Sequence, residues 1–440
     1  MSYKRYHELL QFFILILVLF GLPQSTTALL PEPPLTKPYH FQIHQSAASI
    51  GQKNWDSVQT NNLSPFTSFN YLHLLESTGC ASPSTGWTPI HVTVSTQSTP
   101  SPPPLAIVPC YTKSHSFGEF IFDQPWAEAA HDNNINYYPK ILAAIPFTPV
   151  SSPKVLIHPN VTSHSEQSNI RNSVADYLTT LATNNNLSSV HVNFLSSSEI
   201  KSFPSPYHHR TSLQHHFTNI SPTGSKFHNF SHYLTSLKSK RRLSLNRERR
   251  KISPQIRIDT LTGKEIQSVP GIHDVIYKLY ESTVEKSGKG RLYFTSSFFE
   301  KLIASEFCNN VVLIIARSTS STDENESIKA SDIIAGTFNV VSNNIFYGRY
   351  WGSFTSQKYL HFEVCYYSAI EYCIEHQLDK VEPGAGGGEY KFLRGFEPVR
   401  IHSAHYIRNE GLNKAVGEFV EEERRSINEV MGVEHEHEKS

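Results

Sequence analysis

The most informative absence in the sequence is that of net charge. The chain has 440 residues, with 39 Lys and Arg against 39 Asp and Glu. A balanced chain of this kind argues against a protein that binds genomic DNA by neutralising many phosphates. With 38% hydrophobic residues and 21 Tyr and 26 Phe, the composition instead predicts a folded chain with an aromatic core, long enough for two domains.

Cysteine is also scarce, and its spacing excludes two further classes. The five cysteines show no CxxC or Cys/His spacing, so no zinc site is expected. Cys365 and Cys373 lie eight residues apart in a helical pattern, about 12 Å along the axis, too far for a disulfide. Cys80 and Cys110 could pair, but the odd count indicates no disulfide framework.

Motifs of the common enzyme classes are missing. The sequence has no GxxxxGK[ST] loop, no GxGxxG after a first strand, no HExxH and no GxSxG. Nucleotide triphosphatases, dinucleotide enzymes and the best-known hydrolases are therefore not supported. The Gly-rich stretch at residues 384–388 matches no phosphate loop, and a flexible turn explains it better.

Long hydrophobic runs are limited to the N-terminus. Lys4 and Arg5 precede an apolar run at residues 12–20, and small residues end at Ala28. The run is too short to span a bilayer, so residues 1–28 are predicted to be a cleaved signal peptide, with an uncleaved anchor as the alternative. The mature chain is expected not to span a membrane and to enter the secretory pathway, or a plastid if the signal is bipartite.

The rest of the chain reads as two halves of similar pattern. Helical periodicity predicts helices at residues 62–77, 167–183, 272–287, 295–306 and 361–376. Strands are predicted at residues 91–95, 105–112, 155–157, 190–194, 311–317, 333–341, 345–351 and 380–382. The strands at 311–351 form an antiparallel meander with a tight turn at residues 342–344. The expected fold is α+β, with mixed, mostly antiparallel sheets flanked by helices.

A basic segment lies between the halves. Residues 237–252 contain eight Lys and Arg. One interpretation is a solvated linker helix; the other is a phosphate-binding segment, with Lys240, Arg241 and Arg242 as outer contacts.

Three segments are rich in polar and aromatic residues and are candidates for a catalytic or binding site. They are residues 113–126 with 137–140, residues 347–363, and residues 389–405. The last two follow strand ends, where pockets form. For any one His or Glu among them, a structural role is more common than catalysis.

These segments resemble a known family. Residues 113–123, 137–149, 346–352 and 361–367 are similar to the FemAB-like peptidoglycan biosynthesis/recognition family of the acyl-CoA N-acyltransferase (GNAT) superfamily. The basic run at 238–250 and residues 394–396 and 403–405 also match. The resemblance covers about residues 57–430. It implies tandem GNAT-like domains at 57–236 and 253–430, joined by a basic helix at 237–252. A Pro-rich linker at 29–56 and a disordered tail at 431–440 complete the predicted organisation.

The resemblance also implies an activity and a set of residues. The expected reaction is transfer of an acyl or aminoacyl group to an amine on a small molecule, peptide or glycan, with acyl-CoA or aminoacyl-tRNA as co-substrate and no tightly bound cofactor or metal. Glu363 or Glu389 is expected to accept the proton, and Tyr366 or His405 to protonate the leaving group. The predicted substrate-binding residues are Lys113, His115, Glu119, Asp123, Trp126, Tyr138, Lys140, Arg349, Tyr350, Trp351, His361, Lys391 and Arg394.

One departure from the family keeps an alternative open. The usual Gly-Ala-Gln-Gly-Glu-His-Lys string is replaced at residues 384–391 by one with an extra residue, with glycine for glutamine and Tyr390 for histidine. Glu389, Lys391 and Arg394 are retained. The alternative function is non-catalytic recognition of glycans or peptides by an aromatic cleft of Tyr347, Tyr350, Trp351 and Tyr366.

Overall fold

The fold is a mixed α/β arrangement built on one long sheet and one short sheet. The computed structural model describes residues 39–60, 63–96, 103–287, 291–318, 327–386 and 388–432. The predicted signal peptide, the first part of the predicted linker and residues 433–440 of the predicted tail lie outside these ranges. The described part of the predicted linker, residues 39–56, forms a strand and helices, so any linker must end before residue 39.

The strands are β1 (Tyr39–His44), β2 (Trp87–Pro89), β3 (His91–Thr96), β4 (Ala106–Val108), β5 (Cys110–Lys113), β6 (Lys140–Ala143), β7 (Leu156–Ile157), β8 (Ser189–Leu195), β9 (His208–Thr218), β10 (Ile256–Thr262), β11 (Val311–Ser318), β12 (Ile333–Ser342), β13 (Ile345–Ser353), β14 (Lys380–Glu382) and β15 (Glu397–Ile407).

The α-helices are α1 (Ala47–Ile50), α2 (Gln52–Val58), α3 (Phe69–Ser77), α4 (Gln124–Asp132), α5 (His164–Asn184), α6 (Phe230–Ser236), α7 (Ser239–Arg250), α8 (Gly263–Gln267), α9 (Ile272–Ser287), α10 (Ser296–Ala304), α11 (Leu360–Phe362), α12 (Ser368–Glu375), α13 (Gly388–Phe392) and α14 (Glu410–Val430). A π-helical turn, Glu363–Tyr367, joins α11 to α12.

Eleven strands form the long sheet in the order β10-β11-β12-β13-β14-β9-β15-β8-β6-β5-β2, and β1-β3-β4-β7 form the short one. Among the strands of the described residues, only the β13–β14 and β6–β8 pairs are parallel. The predicted fold class is confirmed. No helix among the described residues is both long and apolar enough to cross a membrane.

The predicted antiparallel meander is confirmed as β11, β12 and β13. Its tight turn has Asn343 and Asn344 at φ 52° and 60°. Positive φ at both central residues is the geometry of a type I′ hairpin turn, which asparagine tolerates better than most residues.

Two predicted elements have different bounds because of proline. The helix predicted at 62–77 begins only at Phe69, since Pro65 starts a 3₁₀ turn and the Ser68 side chain caps the helix by accepting a hydrogen bond from the Tyr71 N–H. The strand predicted at 105–112 is split into β4 and β5 at Pro109, which has no N–H to donate.

The two predicted halves exchange elements, and the sheet runs through both. Strand β15, from the end of the chain, lies between β8 and β9, and α14 packs on β9. Near the other end, Trp55 of α2, Phe66 of the 3₁₀ turn and Leu72 of α3 belong to the hydrophobic core that contains Phe298 of α10. The tandem division itself stays a prediction.

All five cysteines are free thiols, and four of them are buried. The pairing of Cys80 with Cys110 that the sequence permits does not occur.

A glycine in β13 tests the packing of α9 on the sheet. A methyl group at Gly352 would lie 1.8 Å from the Leu279 carbonyl oxygen, so Gly352→Ala must push α9 away. We expect a loss of about 3 kcal/mol or more in the free energy of unfolding. Gly411→Ala, in the first turn of α14 where a methyl group meets only Asn409 Oδ1 at 3.5 Å, is the control and should cost nothing. Equal midpoints of urea unfolding for the two variants would contradict this packing.

Candidate functional site

The first predicted group of residues forms a buried ionic network around Lys140. Its Nζ donates hydrogen bonds to Glu119 Oε2 at 2.9 Å, Asp123 Oδ2 at 2.5 Å and Ser116 Oγ at 2.8 Å. Burial alone would lower the pKa of Lys140, but the charges of Asp123 and Glu119 have the larger combined effect and raise it. Burial also raises the pKa of Glu119 to about 7. One buried cation thus faces two carboxylates, of which Glu119 is the easier to protonate.

Lys113 lies next to this network, on β5. Its Nζ donates to the Gly86 carbonyl at 3.1 Å and lies 3.8 Å from the ring centre of Trp87. Burial lowers its pKa to about 7. Because Lys113, Glu119, Asp123 and Lys140 are all at most 3% exposed, the structure places these predicted substrate contacts inside the protein.

Three other predicted residues surround the same region. His115 and Tyr138 are partly buried: His115 bonds to the Thr85 carbonyl and Tyr138 to Ser116 Oγ. Trp126 is buried against His405, with ring centres 4.9 Å apart. His405 and His191 share a hydrogen bond of 2.7 Å between their Nδ1 atoms. Burial lowers the pKa of His405 well below its usual range, so it is a poor proton donor at neutral pH.

Helix α7 holds the second group in place. Arg249 donates to both carboxylate oxygens of Glu363, at 3.0 and 2.7 Å, and to both of Glu371, at 2.8 and 2.9 Å. Burial raises the pKa of Glu363, while Arg249 opposes the shift. Glu363, one of the two predicted proton acceptors, is therefore occupied by an ion pair. Arg249 itself was not predicted, because a single arginine in a basic run carries no signal.

Arg394 is similarly engaged. It donates to Glu248 Oε2 at 2.6 Å, to the Tyr367 hydroxyl at 2.9 Å and to the Tyr390 carbonyl at 2.9 Å, and it lies 3.6 Å from the ring centre of Phe362. At 3% exposure, Arg394 joins α7 to the π-helical turn and to α13.

The aromatic residues near this group mostly pack on one another. Tyr366 is buried and contacts His361 and Phe396, and Trp351 contacts His361. The Tyr350 hydroxyl donates to the Phe147 carbonyl at 2.8 Å. In the basic helix, Arg241 lies over Phe392, 4.7 Å from its ring centre, Arg242 is partly buried and Lys240 is exposed.

The long sheet divides beyond β14, and we call this region the fork. Strand β14 pairs with β13 only at Ile345–Tyr347 and with β9 only at Phe217 and Thr218. Both neighbours continue past its end. Residues 147–149 cross the opening, since Gln214 of β9 donates to the Pro149 carbonyl at 3.1 Å and Tyr350 of β13 to that of Phe147. Openings between strand ends are common places for ligand sites.

Arg349 lies at the fork with part of its guanidinium unused. Its Nη1 donates to the Gly348 carbonyl at 2.7 Å, but Nε and Nη2 are shielded from solvent and have no hydrogen-bond partner among the described residues. The Phe66 and Tyr347 rings lie 5.0 and 5.1 Å away. A guanidinium stays charged at any physiological pH, so a buried one with unpaired N–H groups favours an anionic ligand.

Lys391 of α13 faces the same region. Its Nζ donates to the Gly384 carbonyl at 2.6 Å, and the side chain is buried. Burial lowers its pKa to about 8, with the charge of Arg349 adding to the effect. Gly384 and Gly386, at φ 80° and 74°, let the chain turn back from β14 into α13.

Glu382 and His216 complete the fork, and sequence reasoning missed both as site residues. Glu382 pairs with Lys380 at 2.6 Å, and His216 Nδ1 lies 4.0 Å from Glu382 Oε1. Burial lowers the pKa of His216 to about 4, so its imidazole is neutral at physiological pH. The only available signal was the run of histidines at 208–216, which has no catalytic pattern.

Glu389, the other predicted proton acceptor, is exposed on α13. The structure therefore brings Arg349 and Lys391 together at the fork, places Glu389 exposed on the same helix as Lys391, and leaves the residues around Lys140 and His405 in a separate cluster.

Comparisons with known proteins agree with the resemblance seen in the sequence. A model of the FemAB-like family, described as peptidoglycan biosynthesis/recognition, matches residues 46–439. No curated protein sequence matches the chain significantly.

Several solved structures are similar in fold. FemX has 11% identity and a TM-score of 0.49, with 86% of this chain and 100% of that one covered. A conserved protein of unknown function from Bacteroides thetaiotaomicron has 10% identity and a TM-score of 0.43, covering 83% and 99%. A tandem GNAT protein from the clavulanic acid pathway has 8% identity and a TM-score of 0.42, covering 84% and 99%. At these values they carry no argument about activity.

The contacts of Arg394 predict a structural role. Arg394→Met removes the cation beside the Glu248 carboxylate, which keeps the hydrogen bond from the Tyr367 hydroxyl but loses its ion pair in a largely buried place. We expect the free energy of unfolding to fall by about 3 kcal/mol. Arg408→Met, which removes an exposed hydrogen bond to Asn186, should change it by less than about 0.5 kcal/mol. Denaturant unfolding followed by circular dichroism measures both, and equal small effects would refute the role.

Proposed function

The chain belongs to the FemAB-like family, and we propose that it transfers an acyl or aminoacyl group from a thioester or ester donor to an amine at the fork. The observation that carries this proposal is the pair of buried cations there. Arg349 has unpaired N–H groups, and Lys391 has a pKa lowered to about 8. The first suits an anionic group on a substrate, and the second suits proton transfer near neutral pH.

The reaction requires few side chains, because it consists of one acyl transfer and two proton transfers. The nitrogen of the acceptor amine attacks the carbonyl carbon of the donor, an N–C bond forms, and the C–S or C–O bond breaks. The attacking nitrogen must lose a proton, and the neutral amine of Lys391 takes it. The leaving thiolate or alkoxide receives a proton in turn and departs as a thiol or an alcohol. General base catalysis of this kind contributes about 10²–10⁴-fold to the rate.

This assignment changes the roles expected from the sequence. Glu363 is held by Arg249 on both oxygens, so Lys391 replaces it as the proposed proton acceptor. Glu389, exposed on the same helix as Lys391, stays a proposed second proton carrier. Tyr366 stays a proposed proton donor to the leaving group, with a pKa that burial raises.

The donor is proposed to be acyl-CoA or aminoacyl-tRNA. Lys240, exposed at the start of α7, is the residue of the basic helix best placed to meet its phosphates, since Arg241 already packs on Phe392. Entry into the secretory pathway or a plastid remains our proposal for location, and it decides which donor the protein meets.

The recognition alternative finds less support in the side-chain packing. It requires exposed aromatic ring faces, but Tyr347 and Tyr366 are buried. The Tyr350 hydroxyl donates a hydrogen bond to the Phe147 carbonyl. Sugar stacking needs a free ring face, and these rings face the core.

Replacing Lys391 tests the proposal. With a muropeptide bearing a free amine as acceptor, and acetyl-CoA or alanyl-tRNA as donor, the native chain should form an amide detected by mass spectrometry. Lys391→Met should lower kcat by about 10²-fold or more, whereas Lys264→Met, which removes an exposed lysine from α8, should not. If Lys391→Met is as fast as the native chain, the proposal is wrong. Muropeptide binding without transfer from either donor would support recognition instead.

The pH profile gives an independent readout. Because burial favours the neutral amine, the Lys391 proton is lost at a lower pH than from a free lysine. Below a pKa of about 8 the group is protonated and cannot accept a proton, so the logarithm of kcat should rise with pH and level off above that value. In Lys391→Met the rise near pH 8 should disappear; a profile unchanged by the substitution would assign the titration to another group.

A further inference from the structure

A groove of about 630 Å³ lies beside the fork, between the sheet, α13 and α14. It is formed where the side chains of β9 and the start of β15 meet the last turns of α14. Its volume is within the range of about 300–1,000 Å³ that is typical of small-molecule sites. The family description does not mention it, and among its lining residues the proposed transfer uses Glu389 alone.

The floor of the groove is apolar. Leu213, Phe392, Pro398, Phe419, Ile427 and Val430 contribute to its lining. Val430 is 71% exposed and Phe392 is 42% exposed. Large apolar side chains left open to water around a concave surface favour an apolar ligand.

The rim of the groove is acidic. Glu389 of α13 faces Glu422 and Glu423 of α14. Glu423 is neutralised by Arg210, which donates to both of its oxygens. Glu422 forms an ion pair with the exposed Arg425 at 3.3 Å, and that contact is screened by solvent. Two carboxylates therefore remain to meet a ligand.

Positive charge is absent from the lining. The thirteen residues that form the groove include no lysine or arginine. His215 is among them, but burial lowers its pKa, so the ring is neutral at physiological pH. Arg241 packs over Phe392 without being part of the lining. The charge of the groove thus favours cations over anions.

Helix α13 stands between the groove and the fork. Glu389 and Phe392, three residues apart, share one face of the helix and line the groove, while Lys391 is buried on the fork side against Gly384. A ligand in the groove contacts the helix that carries Lys391 without entering the fork.

We propose that this groove is a binding site for a small amphipathic amine, with the apolar chain of the ligand on Phe392, Phe419 and Val430 and its ammonium group between Glu389 and Glu422. Apart from Glu389, the site shares no residue with the proposed transfer, and binding there requires no donor. A neutral ligand of the same shape loses the interaction with the carboxylates, and an anionic one is repelled by them.

Three probes with one apolar body and different head groups test the proposal by isothermal titration of the full chain. Octylammonium chloride should bind in the millimolar range, 1-octanol more weakly, and sodium octanoate least. The double variant Glu389→Gln, Glu422→Gln should weaken octylammonium binding by about threefold or more and leave octanol binding unchanged. Glu418→Gln removes one negative charge from an exposed position of α14 outside the groove, so it serves as the control and should behave as the native chain.

Several results would overturn the proposal. Equal affinity for octylammonium and octanoate would show that the groove does not select charge. Octylammonium binding that the double variant leaves intact would place the site elsewhere, and absence of binding by all three probes would show that the groove takes no amphipathic ligand. Because the titration contains no acyl donor, each of these results is independent of whether the chain catalyses transfer.

Discussion

The arrangement of the molecule depends on the pairing of β15 with both β8 and β9. This strand comes from the last part of the described chain, yet it fills the middle of the long sheet. Glu397, its first residue, lies opposite His216 of β9. That register anchors the end of α13, while β14 anchors its beginning, so Lys391 is held at the fork from both sides. The same strand brings His405 next to His191. The position of every candidate site residue near the C-terminus follows from this pairing.

Much of the fold can be read from the sequence, but the centre of the sheet cannot. The meander β11–β13 was predictable because its strands are strongly apolar and Asn343-Asn344 marks the turn. Strands β9 and β15 were missed because they are rich in histidine, arginine and polar residues, such as His208, Arg210 and His402, and show no apolar alternation. Their polar groups are satisfied in the fold: Arg210 pairs with Glu423, and His405 bonds to His191 and Ser403. Such partners come from distant parts of the chain, so no local pattern reveals them.

The sequence predicts only part of the candidate site, because the contacts that complete the site also come from distant parts of the chain. Arg349 and Lys391 were expected from the resemblance to the family, and the structure brings them together. Lys113 and Lys140 belong to equally distinctive segments, yet these side chains are buried in an ionic network. A motif shows that a residue type matters at a position, whereas solvent exposure decides whether it can meet a substrate. His216 and Glu382 join the fork only through the pairing of β9, β14 and β15.

The free cysteines have a practical meaning for experiments on this chain. Burial raises the pKa of Cys110 and Cys373 to about 12 and of Cys308 to about 11, and it raises that of Cys365 well above the usual range. The thiolate is the form that reacts with maleimides and disulfides, and these four groups hold little of it at neutral pH; Cys80 is shielded by burial. A cysteine introduced at an exposed position such as Lys240 would therefore take a fluorescent label selectively, with the native thiols left in place.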